Sequence, residues 1–378
     1  MARSNQLRVL LVSNTYTPYG GGLVSSLNAH INALQQAGHE VRLVTLQFLD
    51  KHDDDPSYII RIPTLFRFKY VHNHMGIPLH SLHVIDQIIS DFKPDIVHVH
   101  HPFLLGPIGQ KAARKYGIPV FFTYHSVYEA FLHNVPLPQF ITEPLAMYWI
   151  KQFCRSVDGI ITPSRAVAAQ VHAFNTTQPI AVIPSAVQEE FILNGPPTHT
   201  NSNQLRLLTV SRFSKEKQLH TLLDVCAQLD PATYQFTLIG YGSEFKPLQH
   251  YAYHTLKLSP DRVSFIHKPS RADLINHYRH ADLFLFSSSV DTQGMVLAES
   301  MASGVPVIAV DGPGQRDIIE QGKNGYIVQS LGEMQQMIEK IADDKEPLKS
   351  LKNNAWQTGK QYNLDRMANQ LIEFYKSL

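Results

Sequence analysis

Gln6-Leu-Arg-Val-Leu-Leu-Val-Ser13 returns in the second half of the chain as Gln204-Leu-Arg-Leu-Leu-Thr-Val-Ser211. Each is a short, nearly unbroken apolar run that enters a polar loop, the composition of a strand buried on both faces. Behind the first, a helical pattern runs from Leu23 to Ala37 and stops at Gly38, a residue type that takes the left-handed turn past a helix end. The strand Glu40-Val-Arg-Leu-Val-Thr45 follows at once. Behind the second come a helical pattern from His220 to Leu229 and the strand Gln235-Phe-Thr-Leu-Ile-Gly240. Strand, helix, strand at this spacing is the βαβ unit, whose strands pair in parallel. Two openings of one pattern predict an α/β chain of two Rossmann-like domains.

Working outward, further short strands are expected at Ile96–Val99, Val120–Thr123 and Gly159–Thr162, then at Val263–Phe265, Leu283–Phe286 and Val307–Ala309. Between the two halves, Asn194-Gly-Pro-Pro-Thr-His-Thr-Asn-Ser-Asn203 is polar, aperiodic and rich in turn formers, so it reads as a linker. The expected domains are therefore residues 1–193 and 204–359, with an amphipathic last helix in residues 360–378 packing back on the first. The 378 residues agree with two domains of roughly 150 residues each.

Composition narrows the function classes. Hydrophobic residues are 44%, enough for sizeable cores, and 33 basic against 32 acidic side chains leave a net charge of +1. Broad nucleic-acid binding needs a basic excess that is missing here. The two cysteines, Cys154 and Cys226, form neither a CxxC nor a zinc spacing. The apolar run Leu7–Val12 is short for a signal segment, and no stretch reaches the ~20 apolar residues of a membrane span. A cytoplasmic protein is expected, soluble or peripheral at the inner face of the cell membrane.

Open α/β sheets bind ligands beyond the carboxyl ends of their strands, so the chemistry belongs in the loops there. The loop after the first strand is Pro18-Tyr-Gly-Gly-Gly22. Gly21 and Gly22 let backbone amides approach an anion at a helix start, although a plain tight turn explains them equally. After the second opening comes Ser211-Arg-Phe-Ser-Lys-Glu-Lys217, where Arg212 and Lys217 either converge on a diphosphate or form a solvated charged turn. The third element runs Ser287-Ser-Ser-Val-Asp-Thr-Gln-Gly-Met-Val-Leu-Ala-Glu-Ser-Met-Ala-Ser-Gly-Val-Pro306 and opens a helix near Gly294. Asp291 lies before that helix and Glu299 about one turn inside, both able to face a ligand at its mouth. The amides around Gly294 and Met295 are placed for a phosphate.

These segments together resemble the family 4 retaining glycosyltransferases, whose GT-B fold is two facing Rossmann-like domains. Ser211-Arg212 with Lys217 matches the family's G/S-R-x4-K. Asp291 and Glu299 match its Glu-x7-Glu, followed by Gly304-Val-Pro-Val307. Gly314-Gln-Arg-Asp-Ile-Ile319, Asn324-Gly-Tyr-Ile-Val328 and Gly38-His-Glu-Val41 also look like family segments, so the likeness spans nearly the whole chain. It departs at Asp291, one methylene shorter than the family's Glu, and at His267, where such chains often have Gly. Thr123-Tyr-His-Ser-Val-Tyr-Glu-Ala-Phe-Leu-His133 and Asp291-Thr-Gln-Gly294 look most like the branch that glucosylates diacylglycerol.

The resemblance implies transfer of a hexose, glucose by preference, from a nucleotide-diphosphate sugar, UDP by preference, with retention. No cofactor, metal or nucleic acid is implied. Arg212 and Lys217 would stabilise the departing diphosphate, and Glu299 would take the ribose hydroxyls. Asp291 and His125 would hold the sugar, and Gly21, Gly22, Gly294 and Met295 would contribute to the donor site. The acceptor would be a hydroxyl, on a membrane lipid in that branch. A GT-B epimerase, a sugar-phosphate-forming synthase and a non-catalytic sugar-nucleotide or membrane-binding module remain open, as does the oligomeric state.

Other features admit blander readings. His125 is one of 20 histidines, and a core or capping role competes with a functional one. His98 and His100 share a strand face in Asp95-Ile-Val-His-Val-His-His-Pro102, but a metal site would need a third ligand, so structural or acceptor-pocket roles are preferred. Asp53-Asp-Asp55 reads as a solvated charge run rather than a metal motif. Ile60-Arg-Ile-Pro-Thr-Leu-Phe-Arg-Phe-Lys-Tyr70 alternates aromatic and basic residues. As a strand it would set Phe66, Phe68 and Tyr70 opposite Arg67 and Lys69, suiting a membrane interface or a half-buried sheet edge alike.

Overall fold

The computed structural model describes residues 6–18, 21–47, 55–70, 73–78, 81–125, 139–197 and 204–378. The chain divides into two compact units, Met1–Ala186 with Leu364–Leu378, and Val187–Asn363. The first carries β1 (Arg8–Val12), β2 (Glu40–Leu46), β3 (Ile59–Ile62), β4 (Thr64–Tyr70), β5 (Asn73–Pro78), β6 (Ile96–Val99), β7 (Val120–Thr123), β8 (Gly159–Thr162) and β9 (Ile180–Val182). Seven of these form a sheet in the order β3-β2-β1-β6-β7-β8-β9, while β4 and β5 form a separate antiparallel pair. The second unit carries β10 (Leu205–Arg212), β11 (Tyr234–Tyr241), β12 (Val263–His267), β13 (Leu283–Phe286), β14 (Val307–Val310) and β15 (Gly325–Val328), ordered β12-β11-β10-β13-β14-β15.

Within each of the two large sheets every strand pair is parallel. The echoed segments are the equivalent strands β1 and β10. Each has the next strand of its unit on one side and a crossover strand on the other, the doubly wound order with its switch point at the central strand. Burial explains why the apolar runs are continuous: Val9 to Val12 and Leu283 to Phe286 are all buried, with helices on both faces.

The helix Gly22–Gln36 buries Val24, Leu27, Ile31 and Leu34, a repeat of three and four residues along one face. It ends as expected at Gly38, whose φ is +83°. There the amides of Gly38 and His39 close back on the carbonyls of Gln35 and Leu34 at 3.0 and 2.9 Å. The last helix, Leu364–Lys376, packs against Gly22–Gln36 within the first unit and buries Leu364, Met367, Leu371 and Tyr375.

The division falls at 186/187 rather than at 193. The Val187 amide donates to the Tyr362 carbonyl at 2.7 Å, and Phe191 is buried in the second unit's core. Trp356 Nε1 donates to the Leu193 carbonyl at 2.9 Å. The segment leading into the linker is thereby stitched to the second unit, and residues 360–363 stay there too. The linker residues 198–203 lie outside the described residues.

Candidate active site

In the second unit, the turn after β10 and the loop after β13 meet. Arg212 ends β10, and Lys217 closes the single helical turn Lys215–Lys217. Ser287 Oγ, at the end of β13, donates to the Lys217 carbonyl at 2.7 Å, and Ser288 Oγ donates to the Glu216 carbonyl at 3.5 Å. The turn is therefore hung from the strand that leads to Asp291. Lys217 Nζ donates to both Asp291 oxygens, at 2.7 Å each, with both side chains largely shielded. Arg212 is more exposed and reaches Glu216 at 3.4 Å, while Ser214 Oγ donates to the same Glu216 oxygen at 2.6 Å.

Asp291 is fixed from behind by backbone: its carbonyl accepts the Gly314 amide at 3.0 Å. Gln315, fully buried, donates from Nε2 to the Ser288 carbonyl at 2.6 Å. The helix Met295–Ala302 then starts at Gly294, which adopts a left-handed φ of +66°. That conformation favours glycine, and a Cβ there would also press on Leu297 Cδ1 at 2.8 Å. Met295 is the first helical residue, and by the geometry of any helix start its amide has no acceptor inside the helix.

Glu299 is not beside Lys217; it accepts from Tyr278 Oη at 3.1 Å. Burial pushes its carboxyl up to about 7, against the opposing pull of the Tyr278 hydroxyl and the Arg271 charge. The structure thus pairs the two acids with different partners, Asp291 with a cation and Glu299 with a phenol.

In the first unit, His125 lies just beyond β7 among buried histidines. Its Nε2 meets His100 Nδ1 at 2.7 Å, with the rings stacked at 5.0 Å. His98 bonds through Nε2 to Thr123 Oγ1 at 2.6 Å and through Nδ1 to Tyr375 Oη at 2.7 Å. His30, from the helix Gly22–Gln36, lies edge-on to His100 at 5.0 Å and donates from Nδ1 to the Ser26 carbonyl at 2.8 Å. His101 Nδ1 accepts the Asn14 amide at 3.1 Å.

Burial first, then mutual repulsion among the rings, holds His98, His100 and His125 far below the usual imidazole range. Burial brings His30 and His101 down to about 4. All five are neutral at physiological pH and offer hydrogen bonds rather than charge. No group of three His, Cys, Asp or Glu side chains among the described residues is placed to hold a metal ion.

Gly21 caps the helix Gly22–Gln36 with a φ of +135°, and neither Gly21 nor Gly22 has anything within 4 Å of where a Cβ would stand. Gly106, by contrast, is crowded: a Cβ would come 1.8 Å from the His101 carbonyl oxygen as the helix Leu105–Lys115 starts against the histidine loop.

Asp55 is not solvated: Arg61 holds it through two nitrogens, at 2.5 and 3.0 Å. Asp53, Asp54 and residues 126–133 lie outside the described residues. His267 ends β12 as an exposed residue with its ring edge-on to Phe245 at 4.9 Å. No described helix is long and apolar enough to cross a membrane.

Sequence reasoning missed His30, Tyr375, Asn14, Tyr278 and Gln315. His30 and Tyr375 sit on helices as ordinary members of an amphipathic pattern, with nothing local to mark them. Asn14 carried a usable signal, since a short amide just past a buried strand often caps a neighbour. Its Oδ1 accepts the Leu105 amide at 3.0 Å.

Two Rossmann-like units with parallel sheets, one bearing a cation–carboxylate turn, define a glycosyltransferase of the GT-B class. The chain belongs to the family 4 glycosyltransferases: the model described as Glycosyltransferase Family 4 matches residues 20–191, and that described as Glycosyl transferases group 1 matches residues 196–358. It is 28% identical to an alpha-monoglucosyldiacylglycerol synthase of Streptococcus pneumoniae over 85% of this chain and 75% of that one. A protein of the same name from Acholeplasma laidlawii is 25% identical over 98% of this chain and 97% of its own. Among solved structures, a sucrose-phosphate synthase of Thermosynechococcus elongatus shares the fold with a TM-score of 0.78 at 19% identity, covering 98% of this chain and 99% of that one.

Proposed function

We propose that this glycosyltransferase moves glucose from UDP-glucose to a hydroxyl of a membrane lipid such as diacylglycerol, with retention and without a metal, at the inner face of the cell membrane. The observation that carries this reading is the Lys217–Asp291 contact at 2.7 Å. It sets a cation suited to phosphate oxygens one hydrogen bond from a carboxylate suited to sugar hydroxyls, beside a helix start. The names of the two relatives support glucose and diacylglycerol.

In this reading the bond from the anomeric carbon to the diphosphate oxygen breaks as the acceptor oxygen bonds to the same face. The acceptor's proton passes to the leaving phosphate. Lys217 and Arg212 stabilise the charge growing there, the largest contribution such sites make. Amides of Gly294 and Met295, and of Gly21 and Gly22, add to it. Glu299 takes the ribose hydroxyls, Asp291 the sugar hydroxyls, and neutral His125 the 6-hydroxyl.

The test is a donor screen for released UDP or GDP, with UDP-glucose, UDP-galactose and GDP-mannose, with and without diacylglycerol vesicles, and with EDTA. UDP release from UDP-glucose that needs the vesicles and survives EDTA is expected. GDP release would change the donor, an epimer or sugar phosphate would change the reaction, and loss of turnover with EDTA, restored by Mn2+, would end metal independence. Donor binding without turnover would leave a non-catalytic module.

A further inference from the structure

Tyr278 sits on the helix Arg271–His280 and is fully buried. Its ring stacks on Phe284 with centroids 5.8 Å apart and meets Phe191 edge-on at 5.4 Å. A ring gripped from two sides has one orientation, and here its hydroxyl reaches Glu299 Oε2 at 3.1 Å. Phenylalanine would fill the same apolar space without burying a hydroxyl, so the packing gives no reason for the oxygen. Burial, followed by the nearby Glu299 charge, raises the phenol far above its ordinary range, so it keeps its proton and donates.

We infer that Tyr278 is a positioning residue for the nucleotide end of the donor: its hydroxyl occupies Oε2 of Glu299 and leaves Oε1 to accept the ribose hydroxyls. The inference rests on the reading of Glu299 as the ribose-binding residue. An ionised carboxylate accepts from the phenol and the ribose together, whereas a protonated one gives up acceptor capacity to its own proton. With Glu299 raised to about 7, donor affinity climbs with pH through neutrality and levels off above it.

The Tyr278 helix itself carries Asp273, which accepts from Ser270 Oγ at 2.6 Å, and Arg279, which donates to the Glu190 carbonyl at 3.0 Å. It also carries His280, bonded to the Asn276 carbonyl at 2.8 Å, and His277, which burial holds below the usual imidazole range. Arg271, which acts on Glu299 at longer range, reaches Glu190 at 3.3 Å. Lys352, on a helix packed against Met295–Ala302, is held by Asp282 at 2.8 Å, and Arg316 by Asp311 at 2.6 Å. Glu189 and Asp317 are the remaining acids on the short adjoining segments. Glu299 is therefore the group expected to govern the profile, and the Tyr278 hydroxyl the donor that draws its titration downward.

Calorimetric titration with UDP-glucose and, in parallel, GDP-mannose from about pH 5.5 to 8.5 tests this. Both share a ribose, and both lack the terminal phosphate proton that titrates near pH ~6 in free nucleotides. For whichever donor binds, the parent should weaken about tenfold from pH 7.5 to 6. Tyr278→Phe should nearly match the parent at pH 8.5 yet bind about fivefold more weakly at pH 7, its midpoint about one pH unit higher. Glu299→Gln should bind weakly and without pH dependence.

A Tyr278→Phe midpoint that stays in place, with affinity unchanged or uniformly lowered, overturns the positioning role. So does a Tyr278→Phe protein that fails to fold, since the hydroxyl would then be holding the core. A Glu299→Gln protein that binds as the parent does overturns the ribose reading itself, as does a parent that binds neither donor.

Discussion

The two units share a strand plan and oppose each other in chemistry. β1 and β10 are equivalent strands with nearly the same residues, and each leads to a loop at its sheet's switch point. At the first sheet, from strand β6, the loops after β6 and β7 and the helix Gly22–Gln36, gather five imidazoles stripped of charge by burial. Beyond the second stand a lysine and an arginine, each against a carboxylate and partly open to water. A scaffold of this kind fixes where side chains are presented and leaves their polarity to a few loop positions. Neutral imidazoles can discriminate hydroxyls by direction, whereas cations attract phosphate from a distance and weaken with salt.

The sharpest way to break this contrast is to remove the charge. Lys217→Ala should lose roughly 2–4 kcal/mol of transition-state stabilisation, seen as a 10²–10³-fold fall in kcat with little change in melting temperature. Arg212→Lys should also be costly, because an ammonium cannot reproduce the guanidinium fork. Turnover equal to the parent's would leave Lys217 an ordinary structural partner of Asp291.

A smaller effect probes whether the first unit's chemistry is as uncharged as its histidines suggest. Arg67 and Lys69 lie on β4, outside the large sheet. If they draw the protein to anionic lipid, replacing both with Ser should weaken vesicle binding by about 2 kcal/mol, at about 1 kcal/mol per cation. Lipid glucosylation should fall with it while UDP-sugar affinity holds, and raising salt should mimic the change. Vesicle sedimentation that ignores lipid charge at low salt would move the acceptor to a soluble molecule.

The smallest effect is thermodynamic. The folded values of His30 and His101, about 4, lie below their ordinary 6.5. The unfolded chain takes up these protons first. The corresponding stability is thus complete above about pH 6.5 and is lost as pH falls toward about 4. Each such histidine steepens the loss by at most about 1.4 kcal/mol per pH unit. Urea unfolding of His30→Leu at several pH values should give a shallower acid slope by that amount, and an unchanged slope would mean that His30 takes up its proton while folded.

What was legible in the chain followed from local periodicity. The buried strands β1, β6, β7, β8, β10 and β13 are short apolar runs, and the stop at Gly38 needs only its own turn geometry. Arg212, Lys217, Asp291 and Glu299 were visible because motif residues cluster beside those strands. Their partnerships were not. Lys217 meets Asp291 across 74 positions, and Tyr375 meets His98 across 277. Such contacts depend on sheet order, which short apolar runs do not encode. The partner of Glu299 was hidden for the same reason: Tyr278 reaches it from a different helix, 21 positions away.

The final helix has a consequence for the order of events during synthesis. Leu364, Met367, Ala368, Leu371 and Tyr375 share a core with Val9, Leu11, Leu27 and Phe121, residues translated hundreds of codons earlier. The unit made first therefore cannot cover that face while the chain is still being elongated, whereas Val187–Asn363 is continuous and holds its own core. Domains usually fold in the order in which they leave the ribosome. Here the earlier one must wait, its apolar face available to chaperones, until Leu364–Lys376 has emerged to close it.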